Sequence, residues 1–386
     1  MGVLSSRDDH PVPTRRPRRR ARRPAHRLAH VRWPEAETVD DAGQGPRLGA
    51  MQELVEHRRT RYDWRRAEAV LDGFGQFRTE LDGVGVHFLH TRSPEPDALP
   101  LLLCHGWPGS VLEFRDVIGP LTDPVAHGGS AEDAFHVVVP SMPGFGFSDR
   151  PTTTGWGVGR IAAAWAELMA RLGYGDRFGA QGGDWGAAVV DRMGRDAPPG
   201  LVGMHLNLVP AIPTTDEVAS ATPEEQEMVA SAARYSAELS AYAAAQATRP
   251  QTVGYLLADN PVGLAAWIYA LFVDVSDTDG DPAAVLGADA ILDDVMLYWL
   301  PNAGASSARL YWEAAREAPA AAGPNPTPLG VSVFPKEPVR ASERWIAARY
   351  EKVVHHRRHD RGGHFAAMEQ PAALVEDVRA TFRGLR

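Results

Sequence analysis

Hydrophobic positions change their spacing along this chain. Residues 52–71 carry a helical pattern that includes Tyr62-Asp63-Trp64-Arg65. From Phe77 onward the period shifts: Val84, Val86, Phe88 and His90 alternate with other residues, and short apolar runs follow at 99–104 and 135–139. Alternation and short runs of this kind predict strands of a largely buried sheet. Helical patterns at 111–121, 158–172 and 186–195 lie between and after the strands, so the two element types alternate. The expected product is an α/β protein with a doubly wound, mostly parallel sheet.

That alternation stops near Val209. A stretch rich in Ala, Glu and Tyr runs to residue 328, and a strand pattern resumes only at Val331-Ser332-Val333-Phe334. An inserted helical cap is the simplest account, placed over the carboxyl ends of the strands where open α/β sheets hold their ligands. A final strand is expected at 352–356 and a final helix at 371–385. The chain then divides into a leader (1–31), an amino-terminal arm (32–83), the first part of the core (84–208), the cap (209–328) and the second part of the core (329–386).

Composition narrows the class. With 386 residues, 44% hydrophobic and 23% charged, the chain can bury one large core or two modest ones. A formal net charge of -9 argues against a general nucleic-acid binder. No apolar run reaches the roughly 18 residues that a membrane span requires, so no membrane anchor is expected. Cys104 is the sole cysteine, which rules out an intrachain disulfide and makes the cytoplasm the default location. The leader departs from this picture, because seven arginines fall within the nine positions 15–23. A twin-arginine export signal continues into an apolar stretch, whereas Pro24-Ala25-His26-Arg27 follows here, and a disordered leader is expected instead.

The candidate chemistry centres on Gly182-Gly183-Asp184-Trp185-Gly186. Small residues two before and two after a central nucleophile permit the strained strand-to-helix turn of an α/β-hydrolase elbow. Here aspartate stands where serine is usual. When a carboxylate attacks an electrophilic sp3 carbon, the carbonyl of the new ester belongs to the enzyme, so water must then attack Asp184. That scheme suits epoxides and alkyl halides rather than peptides or ordinary esters. His105-Gly106-Trp107-Pro108-Gly109-Ser110 follows the strand ending at Cys104, where this fold supplies a second oxyanion donor. The backbone N–H groups of Trp107 and Trp185 would converge on a tetrahedral intermediate built on Asp184.

The second step needs a base, and the order nucleophile, acid, histidine is the one this fold uses. Arg361-Gly362-Gly363-His364-Phe365 follows the last expected strand, and its glycines let a loop carry His364 back over Asp184. His355, His356 and His359 lie in a charged run and are expected to face solvent. Glu337, just after the strand at Val331, is the preferred partner acid, with Asp360 as its rival. Opening an epoxide also calls for a donor to the ring oxygen, a role that suits tyrosine. On residue type alone Tyr242 and Tyr311 are not distinguishable from Tyr235, Tyr255, Tyr269 or Tyr298.

Taken together, these motifs resemble the microsomal-type epoxide hydrolases with their bacterial and fungal relatives. The resemblance runs from Arg32 onward and includes Met51-Gln52-Glu53-Leu54, Tyr62-Asp63-Trp64-Arg65, His-Gly-Trp-Pro, Pro143-Gly144-Phe145-Gly146-Phe147-Ser148, Gly-Gly-Asp-Trp-Gly and Arg-Gly-Gly-His-Phe. It implies an α/β-hydrolase fold in which Asp184 is the nucleophile, His364 the base and Glu337 its partner. The family's Tyr-x-x-x-Gln-x-Thr-Arg/Lys-Pro and Arg-x-Tyr-x-Glu patterns fall on Tyr242 and Tyr311, which makes these two the donors to the epoxide oxygen. The implied reaction turns an epoxide and water into a vicinal diol through a hydroxyalkyl ester, with no metal or organic cofactor and no nucleic-acid partner. Trp267, Trp299 and Phe272 suggest a small hydrophobic substrate, and both a monomer and a homodimer fit. Detoxification, catabolism and biosynthesis are all compatible roles. The departures are the missing apolar anchor, the arginine-rich start, and His57-Arg58-Arg59 where an aromatic is common. Two other readings are a haloalkane dehalogenase, which shares the Asp-Trp elbow, and a catalytically silent ligand-binding hydrolase fold.

Overall fold

The structure is a computed structural model that describes residues 10–11, 27–320 and 323–386. Among these residues nine strands form one sheet: β1 (His10–Pro11), β2 (Gln76–Leu81), β3 (Val84–Thr91), β4 (Leu99–Cys104), β5 (Phe135–Pro140), β6 (Phe178–Gly182), β7 (Leu201–Leu206), β8 (Leu329–Val333) and β9 (Val353–Arg358). Their spatial order is β1-β2-β3-β5-β4-β6-β7-β8-β9. The pairs β1–β2, β2–β3 and β3–β5 are antiparallel, and every other pair is parallel. This is the α/β-hydrolase fold.

Strands β5 and β6 are buried at every position, and β4 at all but one, so both faces of the central sheet are covered. The cover comes from helices whose apolar stripes face inward. Val158–Arg171 buries Ile161, Trp165, Leu168 and Met169 and packs against Asp184–Asp196, while Arg115–Thr122 packs against Pro371–Phe382. Each fully buried leucine or phenylalanine in such a layer contributes about 1.5–3 kcal/mol.

The helix expected at 52–71 is two helices, Leu48–Thr60 and Trp64–Gly73. Asp63 makes the break: its backbone is extended and its side chain accepts a hydrogen bond from Arg65 N, so it starts a new helix instead of continuing the old one. Likewise the expected helix at 111–121 begins as a 3-10 turn, Val111–Phe114. The arm also supplies β2, which joins β3 through Asp82 and Gly83, both with positive φ. An Asp-Gly pair of that shape makes the tight turn that matches strand twist. At the end of the leader, residues 27–29 form a helical turn and Leu28 is buried, so this part packs on the protein; the arginine run at 15–23 lies outside the described residues.

Between β7 and β8 stand the helices of the cap, from Thr215–Ala219 to Gly304–Ala314. No single helix among the described residues is long and apolar enough to cross a membrane. The most apolar, Pro261–Val275, buries Leu264, Ile268, Leu271 and Phe272 and packs against the arm helix Leu48–Thr60.

The topology positions the site. β4 lies between β5 and β6, so the winding of the sheet reverses beside it, and the crevice at the carboxyl ends of β4 and β6 is the place for a ligand. In register, Cys104 of β4 pairs with Gly182 of β6. The segments that leave these two positions carry Trp107 and Asp184.

Candidate active site

Asp184 begins the helix Asp184–Asp196 with a φ of +48°, a left-handed conformation that is strained for any residue but glycine. The surrounding glycines allow the turn. A Cβ on Gly182 would lie 2.3 Å from Gly186 O, and one on Gly186 would lie 1.9 Å from Cys104 O. Both contacts are with backbone, which cannot swing aside. The facing turn obeys the same constraint, since a Cβ on Gly106 would come within 2.2 Å of Asp184 Oδ1. With that space open, Trp107 N donates to Asp184 Oδ1 at 2.7 Å. The Trp185 amide is the next in the chain, in the first turn of the helix.

His364 reaches Asp184 from the opposite side. Gly362 has a φ of +101°, and the His364 backbone N–H donates to Val275 O at 3.0 Å, which ties the loop to the end of a cap helix. The imidazole Nδ1 lies 2.7 Å from Glu337 Oε2 and Nε2 lies 3.4 Å from Asp184 Oδ2. A carboxylate accepts only, so Nδ1 carries a proton and donates it to Glu337. Burial by itself lowers the His364 pKa, but the Glu337 charge and the contacts with Asp184 more than offset it, and the value is raised well above the ordinary one. Glu337 is buried and also accepts from Val339 N at 3.2 Å.

The rival residues lie elsewhere. Asp360 is exposed. His355 and His359 do not face solvent as expected: they hydrogen-bond to the fully buried Asp377 of the last helix at 3.1 and 2.6 Å. His356 pairs with Glu343 at 3.4 Å.

Two tyrosines from the cap complete the cluster. The Tyr242 ring stacks on Trp107 with centroids 5.3 Å apart, and Tyr311 meets the Trp185 ring edge-on at 4.9 Å. The two tyrosine rings are 6.0 Å apart. Burial, reinforced by the Asp184 charge and by neighbouring phenols, pushes both pKa values well above 10, so both hydroxyls keep their protons. The Tyr311 side chain is buried beside Trp185 and Tyr242. Tyr235, not separable from the other tyrosines by type, lies within 2.8 Å of the Tyr242 hydroxyl.

Other neighbours carried no signal in the sequence. A cavity of about 20 Å³ borders Asp184 and His364, with Glu113, Gln181 and Asn207 in its wall. Asn207 accepts from Gln181 Nε2 at 2.9 Å. Of the aromatic residues expected to mark a substrate site, Phe272 is buried against Phe365 at 4.3 Å, Trp267 donates to Gln246 Oε1 at 3.0 Å, and Trp299 borders a hollow beneath the arm. None of these contacts is with Asp184, His364, Tyr242 or Tyr311.

Residues 10–114 match the family model described as epoxide hydrolase N terminus, and residues 100–255 match the alpha/beta hydrolase fold. The sequence is 54% identical to a protein of Stigmatella aurantiaca over 92% of this chain and 80% of that protein. It is 34% identical to epoxide hydrolase 1 of Sus scrofa over 87% of this chain and 80% of the relative. The solved structure of Aspergillus niger epoxide hydrolase superposes with a TM-score of 0.85 at 30% identity, covering 99% of this chain and 97% of that one. With an aspartate at the tight strand-to-helix turn and this extent of similarity, the chain belongs to the epoxide hydrolase family, enzymes that convert an epoxide and water to a vicinal diol through a covalent aspartyl ester.

Proposed function

We propose that Asp184 is the nucleophile of this epoxide hydrolase and His364 its general base, held by Glu337. Tyr242 and Tyr311 are the donors to the epoxide oxygen, and the backbone N–H groups of Trp107 and Trp185 form the oxyanion hole. The observation that carries the assignment is the continuous line of contacts from Glu337 through His364 to Asp184, with the Trp107 amide on the far carboxylate oxygen.

Because Trp107 N holds Oδ1, Oδ2 is the oxygen assigned to attack the ring carbon. The C–O bond of the epoxide breaks, and a tyrosine gives its proton to the departing oxygen. The result is a hydroxyalkyl ester on Asp184 and a tyrosinate. Esterification removes the negative charge that favours the protonated imidazole, so the His364 pKa falls when a base is needed. Nε2 then takes a proton from water, whose oxygen adds to the Asp184 carbonyl while Oδ1 becomes an oxyanion against the amides. Collapse breaks the ester bond, and the leaving diol oxygen takes the proton from His364. Asp184 departs as the free acid, and its proton restores the tyrosine.

The proposed substrate is a small hydrophobic epoxide, used with water and without a cofactor. A cytoplasmic location is proposed on the lone buried Cys104. A homodimer is the proposed alternative to a monomer, to be decided by sedimentation.

The test is a single turnover of an aryl epoxide in 18O-labelled water, followed by digestion and mass spectrometry. Label in the peptide that holds Asp184 supports the scheme, together with loss of diol formation in Asp184→Asn and in the Tyr242→Phe/Tyr311→Phe double variant. Unlabelled Asp184 with diol formed would overturn it. Halide release from a matched haloalkane that survives the tyrosine changes would point to dehalogenation.

A further inference from the structure

Glu113 stands outside every role assigned above. It belongs to the one-turn segment Val111–Phe114, which follows the Trp107 turn. Its carboxyl nevertheless lies against that turn: a Cβ on Gly109 would sit 1.9 Å from Glu113 Oε2 and 3.6 Å from Gly106 O. Gly106 is the residue whose missing side chain makes room for Asp184 Oδ1. Two carboxyl groups therefore fill the places left by two glycines of one turn.

Glu113 and Asp184 both line a cavity of about 20 Å³, together with Gly106, Gln181, Asn207 and His364. That is room for one water, which needs roughly 10–15 Å³ and two to four polar partners. Partners are present. Gln181 Oε1 is buried without a hydrogen bond among the described residues, and His364 and Asp184 supply the other sides.

A water that attacks the Asp184 ester must lose one hydrogen to His364 Nε2, and its lone pair must point at the carbonyl carbon. Its second hydrogen then needs an acceptor, or the molecule is free to rotate out of line. Resting on the assignment of Asp184 as nucleophile, we infer that Glu113 is a positioning residue for hydrolysis, whose carboxyl oxygen accepts the second hydrogen of the attacking water. It neither gains nor loses a proton in the step. Burial first, then the charges of Asp294 and Asp184, hold its pKa well above the usual carboxylate range, with His364 opposing. A carboxyl group keeps an oxygen that accepts a hydrogen bond whether or not it carries a proton.

The inference separates two variants that a purely structural role would not. Glu113→Gln keeps a carbonyl acceptor, whereas Glu113→Leu has none. Stopped-flow tryptophan fluorescence with an aryl epoxide reads ester formation, and quench-flow mass spectrometry reads ester decay. In Glu113→Leu, ester formation is expected within threefold of the native rate, with decay slowed about 10- to 100-fold and the ester accumulating. Glu113→Gln is expected to decay within about threefold of the native rate. Glu113→Ala has the same expected direction and serves if the leucine variant does not fold.

Decay within threefold of native in Glu113→Leu overturns the inference. So does equal slowing of both steps, or a glutamine variant as slow as the leucine one. Failure of the underlying assignment looks different, because native protein would then form no ester on Asp184.

Discussion

The hydroxyls of Tyr235 and Tyr242 lie 2.8 Å apart, which ties the ring stacked on Trp107 to a third phenol. Tyr235 opens the π-helical turn Tyr235–Leu239, just before the helix Ala241–Thr248 that carries Tyr242. If Tyr235 donates, the Tyr242 proton is left to point at substrate. Tyr235→Phe is therefore expected to slow ester formation about 3- to 10-fold, and Tyr242→Phe about 100-fold, with the rate of ester decay unchanged in both. Pre-steady-state fluorescence of Trp107 and Trp185 resolves the two steps.

Removing the charge of Asp184 without the ester should reproduce the shift in His364. The native value is raised partly by Asp184, so Asp184→Asn lowers it toward the ordinary imidazole range. The sign follows from charge: an anion nearby favours imidazolium, and a neutral amide does not. NMR titration of the His364 ring in both proteins measures the difference, and an unchanged or higher value in Asp184→Asn would contradict the account.

Glu337→Gln keeps the shape of the partner but not its charge. Loss of that charge makes imidazolium less stable during water activation, so ester decay slows by about 100-fold or more. Ester formation, which uses Asp184 as it stands, is expected to change less than about tenfold. Accumulated alkyl-enzyme in quench-flow mass spectra is the readout.

The arm is joined to the cap through a buried hydrogen bond. Tyr62 OH donates to Asp293 Oδ1 at 2.7 Å, and Arg115 meets Asp293 Oδ2 at 2.9 Å. Tyr62→Phe leaves one oxygen of a buried carboxylate short of a donor, at a cost of about 1–3 kcal/mol. Thermal unfolding should show a lower Tm, and Asp293→Asn should share most of the effect, because the two residues belong to one interaction.

Gly186→Ala tests the elbow itself. The added Cβ would overlap the Cys104 carbonyl, a backbone atom in a central strand. A loss of about 3 kcal/mol or more is expected, seen in chemical denaturation. Gly384→Ala, where a Cβ meets nothing within 4 Å, is the control.

How much of this could be read from the chain depends on how tightly chemistry constrains local shape. Gly182, Gly186 and Gly106 are readable because backbone approaches them too closely for a side chain, and the glycines before His364 are readable for the turn they permit. The double role of Asp63 was not, because its capping bond to Arg65 is local and the apolar spacing of the two flanking helices runs on across the break. His355 and His359 looked exposed because their sequence neighbours are charged, but the group that draws them in, Asp377, comes from another helix. Glu113 gave no spacing signal at all. Its place depends on the fold of the Gly106–Gly109 turn, and only the assembled sheet puts that turn beside Asp184.

The pairing of Cys104 with Gly182 acts as a ruler for the chemistry. Three residues lead from Cys104 to the Trp107 amide and two lead from Gly182 to the Asp184 carboxylate, so neither path has slack. A slip of one residue between the two strands moves them by about 3.3 Å, more than the whole 2.7 Å contact that joins amide to carboxylate. The cap and the arm lie outside both of these short paths. The tolerance for insertion in this chain is thus graded by distance from one strand pair, and a deletion of a single residue in either short path would disarm the site while leaving most of the core intact.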